Sequence, residues 1–507
     1  MRIAKNRGMG IGDRGSEDHF SIKIYTLGCK LNQLESEAVA GSFRKAGFPV
    51  VQDTSPPGPG LIIINTCTVT SKADQKCRRL IRKALRDNPA SCVLVTGCYA
   101  HLDSAEIAAL EAEITGGQPG IRRLFILAGR KSGIERFDSE GDPDETAFAG
   151  ASKSALLDLP GYLLQATGTV GNNLSAVLES WMGSARGETP FAFRPESFAF
   201  HSRGYLKIQD GCDNHCGYCR VRLARGPSVS LPREDALAQV RSFEERGCAE
   251  LMITGVNITQ YRYGGTSLAG LLEYLLEGSA NIALRLSSLE PEGLDERLAP
   301  VLAHPRIRPH FHLSVQSGSE TVLRRMGRAY TPQTVERGAA LLRSAKDNPF
   351  LACDIIAGFP AETESEFAET ISLCTKIGFA WIHAFPYSKR TGTPAFSLGN
   401  PVCERETSRR VDALTRLALE GRRNYARTWL GRELSAVVEK SPCQEGCCRA
   451  VSENYLKLIV NCSGERPPAG SVLHCVPESL CPDADGEKPD AAAKIARQTH
   501  EMKYRQK

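Results

Sequence analysis

The sequence predicts a mixed α/β protein in three parts: an N-terminal parallel α/β domain, a central partial or full (β/α) barrel, and a small C-terminal β-barrel. Three observations carry that expectation. Apolar strand-like runs alternate with helical patterns in two separate series, which implies parallel sheets with crossovers. From Arg432 the pattern changes to short alternating strands divided by turn residues, which suits a small barrel. The 507 residues also exceed what one core organises. The expected boundaries are 19–130 for the first domain, 131–197 for an irregular linker or insertion, 198–430 for the central barrel, 431–482 for the terminal barrel and 483–507 for a basic tail.

In the first series, SIKIYTLGC (Ser21–Cys29) reads as a short strand, followed by a helical pattern from about Asn32 to Ala46. LIIINTCTV (Leu61–Val69) is a fully apolar strand, followed by a Lys/Arg-rich helix from about Lys72 to Arg86. CVLVTGCYA (Cys92–Ala100) is a third strand with a helix after it. Residues from about Gly116 to Phe200 are less regular, with one helix expected near Leu174–Trp181 and no function assigned.

The second series supplies six strands. They are GYLKIQDGC (Gly204–Cys212), AELMITGVN (Ala249–Asn257), ALRLSSLEP (Ala283–Pro291), PHFHLSVQSGS (Pro309–Ser319), LACDIIAGFP (Leu351–Pro360) and AWIHAFPYS (Ala380–Ser388). Helical patterns such as Pro232–Arg246 and Pro332–Ser344 separate them. In such barrels the reactive groups come from the C-terminal ends of the strands. ELSAVVEK, NYLKLIVN and GSVLHCVPE are the terminal strands, and the basic tail from Lys488 to Lys507 reads as helical or disordered.

Hydrophobic content of 41% and charged content of 24% are ordinary for a soluble globular chain. No apolar run reaches the length of a membrane span and the N-terminus has no signal core, so the expectation is a cytoplasmic protein with no membrane partner. In a reducing compartment the 18 cysteines point to metal ligation or catalysis more than to disulfides. A net charge of +5 is weak evidence for an anionic partner.

The cysteine positions are the strongest signal. Cys29, Cys67 and Cys98 each stand just past the C-terminal end of a strand, the edge where open α/β sheets bind ligands. They repeat with the βα unit, so they are expected to converge; the plainer alternative is three small buried hydrophobes. Cys212, Cys216 and Cys219 form a C-x3-C-x2-C run after the first strand of the second series. Zinc takes four protein ligands, or three and water, whereas an iron–sulfur cluster accepts thiolates and tolerates a missing ligand.

That run, placed there, resembles the radical S-adenosylmethionine (SAM) enzymes. The resemblance implies a 4Fe-4S cluster on Cys212, Cys216 and Cys219 whose fourth iron is chelated by SAM. One electron then cleaves SAM to methionine and a 5′-deoxyadenosyl radical. It further implies SAM contacts at Tyr218, at Gly255 of ITGVN, at Ser288 and Glu290 of RLSSLEPEGL, at Gln316 of LSVQSGS, and at Ile356 and Gly358 of DIIAGFPAETE. Packing around the loop is the alternative for Tyr218, and tight strand–helix turns for the glycines.

A closer resemblance covers about residues 20–130 and 198–480. TLGCKLNQLESE, NTCTVTSKADQKCRR, VTGCYA, QDGCDNHCGYCRVRLARGPSVS, LSVQSGSETVLRRMGRAYT and FPYSKRTGTPAF are similar to the radical SAM methylthiotransferases, in the family's order. This implies a second, sulfur-carrying 4Fe-4S cluster on Cys29, Cys67 and Cys98, SAM as both methyl donor and radical source, and an RNA-binding TRAM module as the terminal barrel. TLGCKLNQLESE, TCTVTSKAD, TGVN and RLSSLEPEGL resemble the branch that acts on carbon 2 of N(6)-threonylcarbamoyladenosine in tRNA. The alternatives are isopentenyladenosine in tRNA, a ribosomal-protein aspartate, or a non-catalytic Fe–S RNA-binding protein.

The implied partners are a tRNA anticodon stem-loop and an electron donor such as flavodoxin or ferredoxin; no sulfur source is indicated. Lys76–Arg86, the arginines Arg220, Arg222 and Arg225, and the basic tail are consistent with phosphate binding, with solvated helix faces as the alternative. Arg220, Leu223 and MGRAYT depart from the family's usual residues, which bears on substrate detail more than on reaction class. Cys443, Cys447, Cys448, Cys462, Cys475 and Cys481 crowd the terminal part without a zinc spacing. Cys77, Cys92, Cys248, Cys353, Cys374 and Cys403 read as structural.

Overall fold

Apolar runs too short for helices build the first sheet. The computed structural model describes residues 20–498 except 53–57, 116–121, 129–152, 167–172, 188, 196–197, 199–201, 463–465 and 483–485. The elements are β1 (Ile22–Thr26), α1 (Lys30–Lys45), β2 (Val50–Val51), β3 (Leu61–Thr66), α2 (Ser71–Asp87), β4 (Cys92–Gly97), α3 (Cys98–Leu102), α4 (Ser104–Thr115) and β5 (Leu124–Leu127). All pairings are parallel, in the order β2-β1-β3-β4-β5. β3 and β4 are buried throughout, as their unbroken Ile/Leu/Val runs require. The chain leaves β1 toward one edge and β3 toward the other, so the crossovers diverge between β1 and β3 and open a crevice at their C-terminal ends.

The stretch expected to be irregular from Gly116 is more ordered than its composition suggests. It contains β5 and helices at Leu159–Ala166 and Leu174–Ser184, the second close to the expected position. Leu159, Leu163, Leu178 and Trp181 share one core with Ile22, Leu34 and Phe43. The segment is therefore a cover for the first sheet instead of a spacer. Of SEGDPDETAFAGASKS, expected to be loop or linker, residues 139–152 lie outside the described residues, whereas Lys153 and Ser154 are helical and buried.

The second series opens with β6 (Gly204–Lys207), a small antiparallel pair β7 (Gln209–Asp210) and β8 (Val229–Ser230), and β9 (Glu250–Thr254). A hairpin of β10 (Arg262–Tyr263) and β11 (Thr266–Ser267) follows, then β12 (Ala283–Leu286), β13 (His310–Gln316), β14 (Phe350–Ala357) and β15 (Trp381–Pro386). β6-β9-β12 and β13-β14-β15 are parallel sheets joined by bridges Leu284–Ile307 and Leu289–Leu313. No pairing joins β15 to β6 among the described residues, so the barrel is partial. Outward residues such as Leu206, Ile253, Leu313 and Ile355 pack against the helices in one core.

The terminal barrel is closed: β16 (Leu434–Val438), β17 (Cys447–Ser452), β18 (Lys457–Asn461), β19 (Val472–Leu480) and β20 (Ala491–Gln498), in the order β16-β17-β18-β20-β19. β20 corrects the expectation of a helical or disordered tail from Lys488, since the strand reaches Gln498. AAAKIARQ has helix formers, but Ala491 and Ala493 are buried in the barrel core and the segment pairs with β18 on one side and β19 on the other. Lys503, Arg505 and Lys507 lie outside the described residues. The buried Asp490 anchors this strand by pairing with Arg422 of the long helix Glu404–Thr428 and accepting the Lys457 N–H at 2.7 Å. Tyr455, between β17 and β18, reaches the floor of the central barrel, its ring 4.0 Å from that of His310 and 5.3 Å from the Arg285 guanidinium.

Candidate active site

Both cysteine sets sit where their sheets end. Cys29 caps α1 and is exposed, Cys67 follows β3 and is buried, and Cys98 opens α3 after β4. Close approach is built into the backbone. Gly28 has φ of +110°, and a Cβ there would lie 2.6 Å from Cys67 Cβ and 2.8 Å from its Sγ. Burial first, then the neighbouring Cys29 and Cys98, pushes the Cys67 thiol up to about 12. The three thiols thus converge as their spacing predicts. Cys77 donates to the Cys67 carbonyl at 3.4 Å, in keeping with a structural role.

In the second set, the Cys212 and Cys219 thiols are raised to about 11 and about 12, mainly by burial against one opposing backbone hydrogen bond each, then by Cys216, Glu290 and Asp213 for Cys212 and by Cys216 and Cys212 for Cys219. Cys216 is buried, and Arg328 Nη1 donates to its Sγ at 3.0 Å. Sequence reasoning passed over Arg328, although the Gly-Arg pair of MGRAYT marked it. Arg328 also pairs with Glu290 at 2.5 Å. Burial outweighs that partner and lifts the Glu290 carboxyl to about 7. Among the described residues, no three His, Cys, Asp or Glu side chains are set for a single metal ion. All-thiol triplets fit a broader iron–sulfur cluster, whose ligands are cysteines.

The remaining expected residues cluster at the same end. Tyr218 packs with Val322, Met326, Phe359 and Ile356. Gln316, with φ of +65°, stands at the end of β13 where the register slips, and Ser288 Oγ lies 2.7 Å from His312 Nδ1. Gly255 abuts the Gln209 side chain, where a Cβ would fall 2.8 Å from Oε1. Gly358, with φ of +77°, leaves room for Thr407 and donates its N–H to Glu362 at 2.6 Å, so it has a packing reason of its own.

A seam of buried charge joins the two sets. Glu35 of α1 accepts from Lys153, from Lys207 at 3.4 Å and from Arg225 at 3.2 Å. Asp210, two residues before Cys212, pairs with Lys207 and Arg225, both at 2.9 Å. Arg225 also donates to Asn32, three residues after Cys29, at 3.0 Å. Burial works to raise both carboxyls, but the Lys153, Lys207 and Arg225 charges hold Glu35 far below the usual range, and Arg225 and Lys207 hold Asp210 down. Arg220, directly after Cys219, grips Asp103 with both Nη atoms at 2.9 and 3.1 Å. These arginines were expected to meet RNA. The structure turns Arg220 and Arg225 inward, with 9% and 3% of their side chains exposed, because acidic partners from the first domain lie beneath them. Arg222 donates to the Asp213 carbonyl at 3.0 Å.

The α2 cations behave otherwise. Arg78 and Arg82 pair with Glu106 and Glu113 of α4, while Arg79, Lys83 and Arg86 line a groove of about 670 Å³ and form no ion pair among the described residues. No helix among the described residues is long and apolar enough to cross a membrane.

The radical SAM superfamily matches residues 206–374, and the uncharacterized protein family UPF0004 matches residues 21–116. The chain is 41% identical over 474 residues to a threonylcarbamoyladenosine tRNA methylthiotransferase of Treponema pallidum, covering 89% of this chain and 97% of that one. It is 31% identical to the Thermotoga maritima protein of the same description, over 86% of this chain and 90% of the relative. A tRNA-2-methylthio-N(6)-dimethylallyladenosine synthase of Anaplasma marginale is 28% identical, over 89% of this chain and 91% of its own.

Proposed function

Because the chain belongs to the threonylcarbamoyladenosine tRNA methylthiotransferase family, we propose that it inserts a methylthio group at carbon 2 of N(6)-threonylcarbamoyladenosine beside the tRNA anticodon, in the cytoplasm. The observation that carries this reading is the pair of three-thiol sets at two sheet edges, tied by one buried seam of charge. Cys212, Cys216 and Cys219 would hold one 4Fe-4S cluster, and Cys29, Cys67 and Cys98 the other. When bound, the first supplies the electron that splits SAM, and the second carries the sulfur to be inserted.

The chain's own residues supply position and charge. Tyr218, Gly255, Ser288, Glu290, Gln316, Ile356 and Gly358, at the C-terminal ends of the barrel strands, are the residues that would hold SAM. Arg328 places a fixed positive charge beside the Cys216 sulfur, donating to it at 3.0 Å. Glu35, Asp210 and Arg225 fix the distance between the sets, which a transfer between two sites demands. The anticodon stem-loop meets the α2 cations and the terminal barrel, whose compact all-β form suits RNA loops. A flavodoxin or ferredoxin delivers the electrons.

The test is reconstituted protein with SAM, a reductant and a stem-loop bearing threonylcarbamoyladenosine, read by nucleoside mass spectrometry. The methylthio nucleoside should form, and Cys216→Ala should abolish it while one cluster's iron remains. Product from Cys216→Ala would refute the radical mechanism. Modification of a dimethylallyladenosine loop in place of the threonylcarbamoyl loop would refute the choice of substrate.

A further inference from the structure

Strand alternation gives the partial barrel an apolar exterior and a polar lumen. On β13, Phe311, Leu313 and Val315 face the outer core, which leaves His310 and His312 inward. On β14 and β15 the same period sends Asp354 and His383 inward, paired across the ladder.

The middle of this lumen is organised. Ser288 Oγ lies 2.7 Å from His312 Nδ1, and His312 Nε2 lies 3.2 Å from Asp354 Oδ1. Both ring nitrogens are engaged, so the ring cannot turn. The His383 ring stands edge-on to it at 5.3 Å and accepts the Trp381 indole N–H on Nδ1 at 3.2 Å. Its other nitrogen has no partner among the described residues. Lys30, the first residue of α1, is half-buried and forms neither a hydrogen bond nor a salt bridge among the described residues. Burial works to lower the Lys30 pKa; of the groups its charge meets, Tyr455 and Asp354 support the charged form and Arg203 and Arg285 oppose it. Tyr455 closes the floor, and the Arg328–Glu290 pair stands above, beside Cys216.

Neither the thiols nor the seam between them requires an unpaired cation and an open imidazole here. Covering them with a hydrocarbon would desolvate both without return. A threonylcarbamoyl group instead presents a carboxylate, a hydroxyl and a urea. We propose that Lys30 and His383 bind the carboxylate and hydroxyl of the threonylcarbamoyl substituent inside the barrel lumen, beside a histidine fixed by Ser288 and Asp354. This rests on the substrate reading above and deepens it: the lumen selects the nucleoside by its side chain, while the RNA surface selects the loop.

The test uses reconstituted protein without SAM and three fluorescent anticodon stem-loops. They carry threonylcarbamoyladenosine, its carboxamide analogue with the carboxylate neutralised, or dimethylallyladenosine. A charge-assisted contact should favour the first over the second by roughly ten- to a hundredfold in Kd. At equal iron content, Lys30→Met should bring that ratio near one, Lys30→Arg should keep most of it, and His383→Phe should lower it in part. Lys30→Met and His383→Phe both keeping the parent's ratio, in a protein that still modifies the threonylcarbamoyl loop, overturn this inference alone. A parent that modifies the dimethylallyl loop instead overturns the substrate reading, and the inference with it.

Discussion

Glu35→Gln is the sharpest test of the seam between the cysteine sets. Three cations, Lys153, Lys207 and Arg225, face two carboxylates, Glu35 and Asp210, giving a formal charge of +1. The substitution raises it to +2 around a side chain with no exposed surface. Removing one partner of a buried ion pair costs about 3–5 kcal/mol, against a total stability of about 5–15 kcal/mol. Arg225→Met leaves the cluster neutral and costs less, about 2–3 kcal/mol, mainly through lost charge-assisted hydrogen bonds. Glu35→Gln with Lys153→Met returns the charge to +1 and should recover at least about 1 kcal/mol over Glu35→Gln alone. Urea unfolding of the reconstituted proteins, followed by circular dichroism, ranks the three. A cost below about 1 kcal/mol for Glu35→Gln, or a double variant no better than the single, would refute this account of the seam.

Three further outcomes are expected. Glu250 is buried and held at about 2 by Arg285, Arg203 and Arg308 against the pull of burial, from an ordinary value of 4.5. That shift is worth about 3 kcal/mol, present above pH ~4.5 and lost as the pH falls toward 2, so a Glu250→Gln variant should show a flatter acid limb in its stability–pH profile. Gly28→Ala forces a Cβ against Cys67 at φ of +110° and should halve the iron and sulfide content while SAM binding persists; full loading would contradict it. Tyr455→Ala withdraws the ring seated on His310 and Arg285, costs about 3–5 kcal/mol, and should expose the terminal barrel to limited proteolysis.

What could be read from the chain was local. β3 and β4 are unbroken apolar runs, so their burial and the cysteines after them were visible in the order of residues. Arg220 and Arg225 were not legible, because Asp103 and Glu35 lie 117 and 190 positions away and only the docked domains bring them together. The lumen residues were half visible. HFHLSV shows the alternation plainly, but which face looks inward depends on strands from elsewhere in the barrel. β20 was hidden for a different reason: its alanines favour a helix in isolation, and the slot between β18 and β19, with a pairing edge on each side, makes a strand of them.

That slot has a consequence during synthesis. β18 and β19 emerge from the ribosome before β20, yet in the finished barrel they never pair with each other and both pair with β20. Until β20 arrives, each offers an open row of backbone donors and acceptors, the kind of edge that recruits other chains. The clasp of Asp490 on Arg422 also waits for that moment. A chain interrupted before residue 490 lacks that clasp and keeps both edges open.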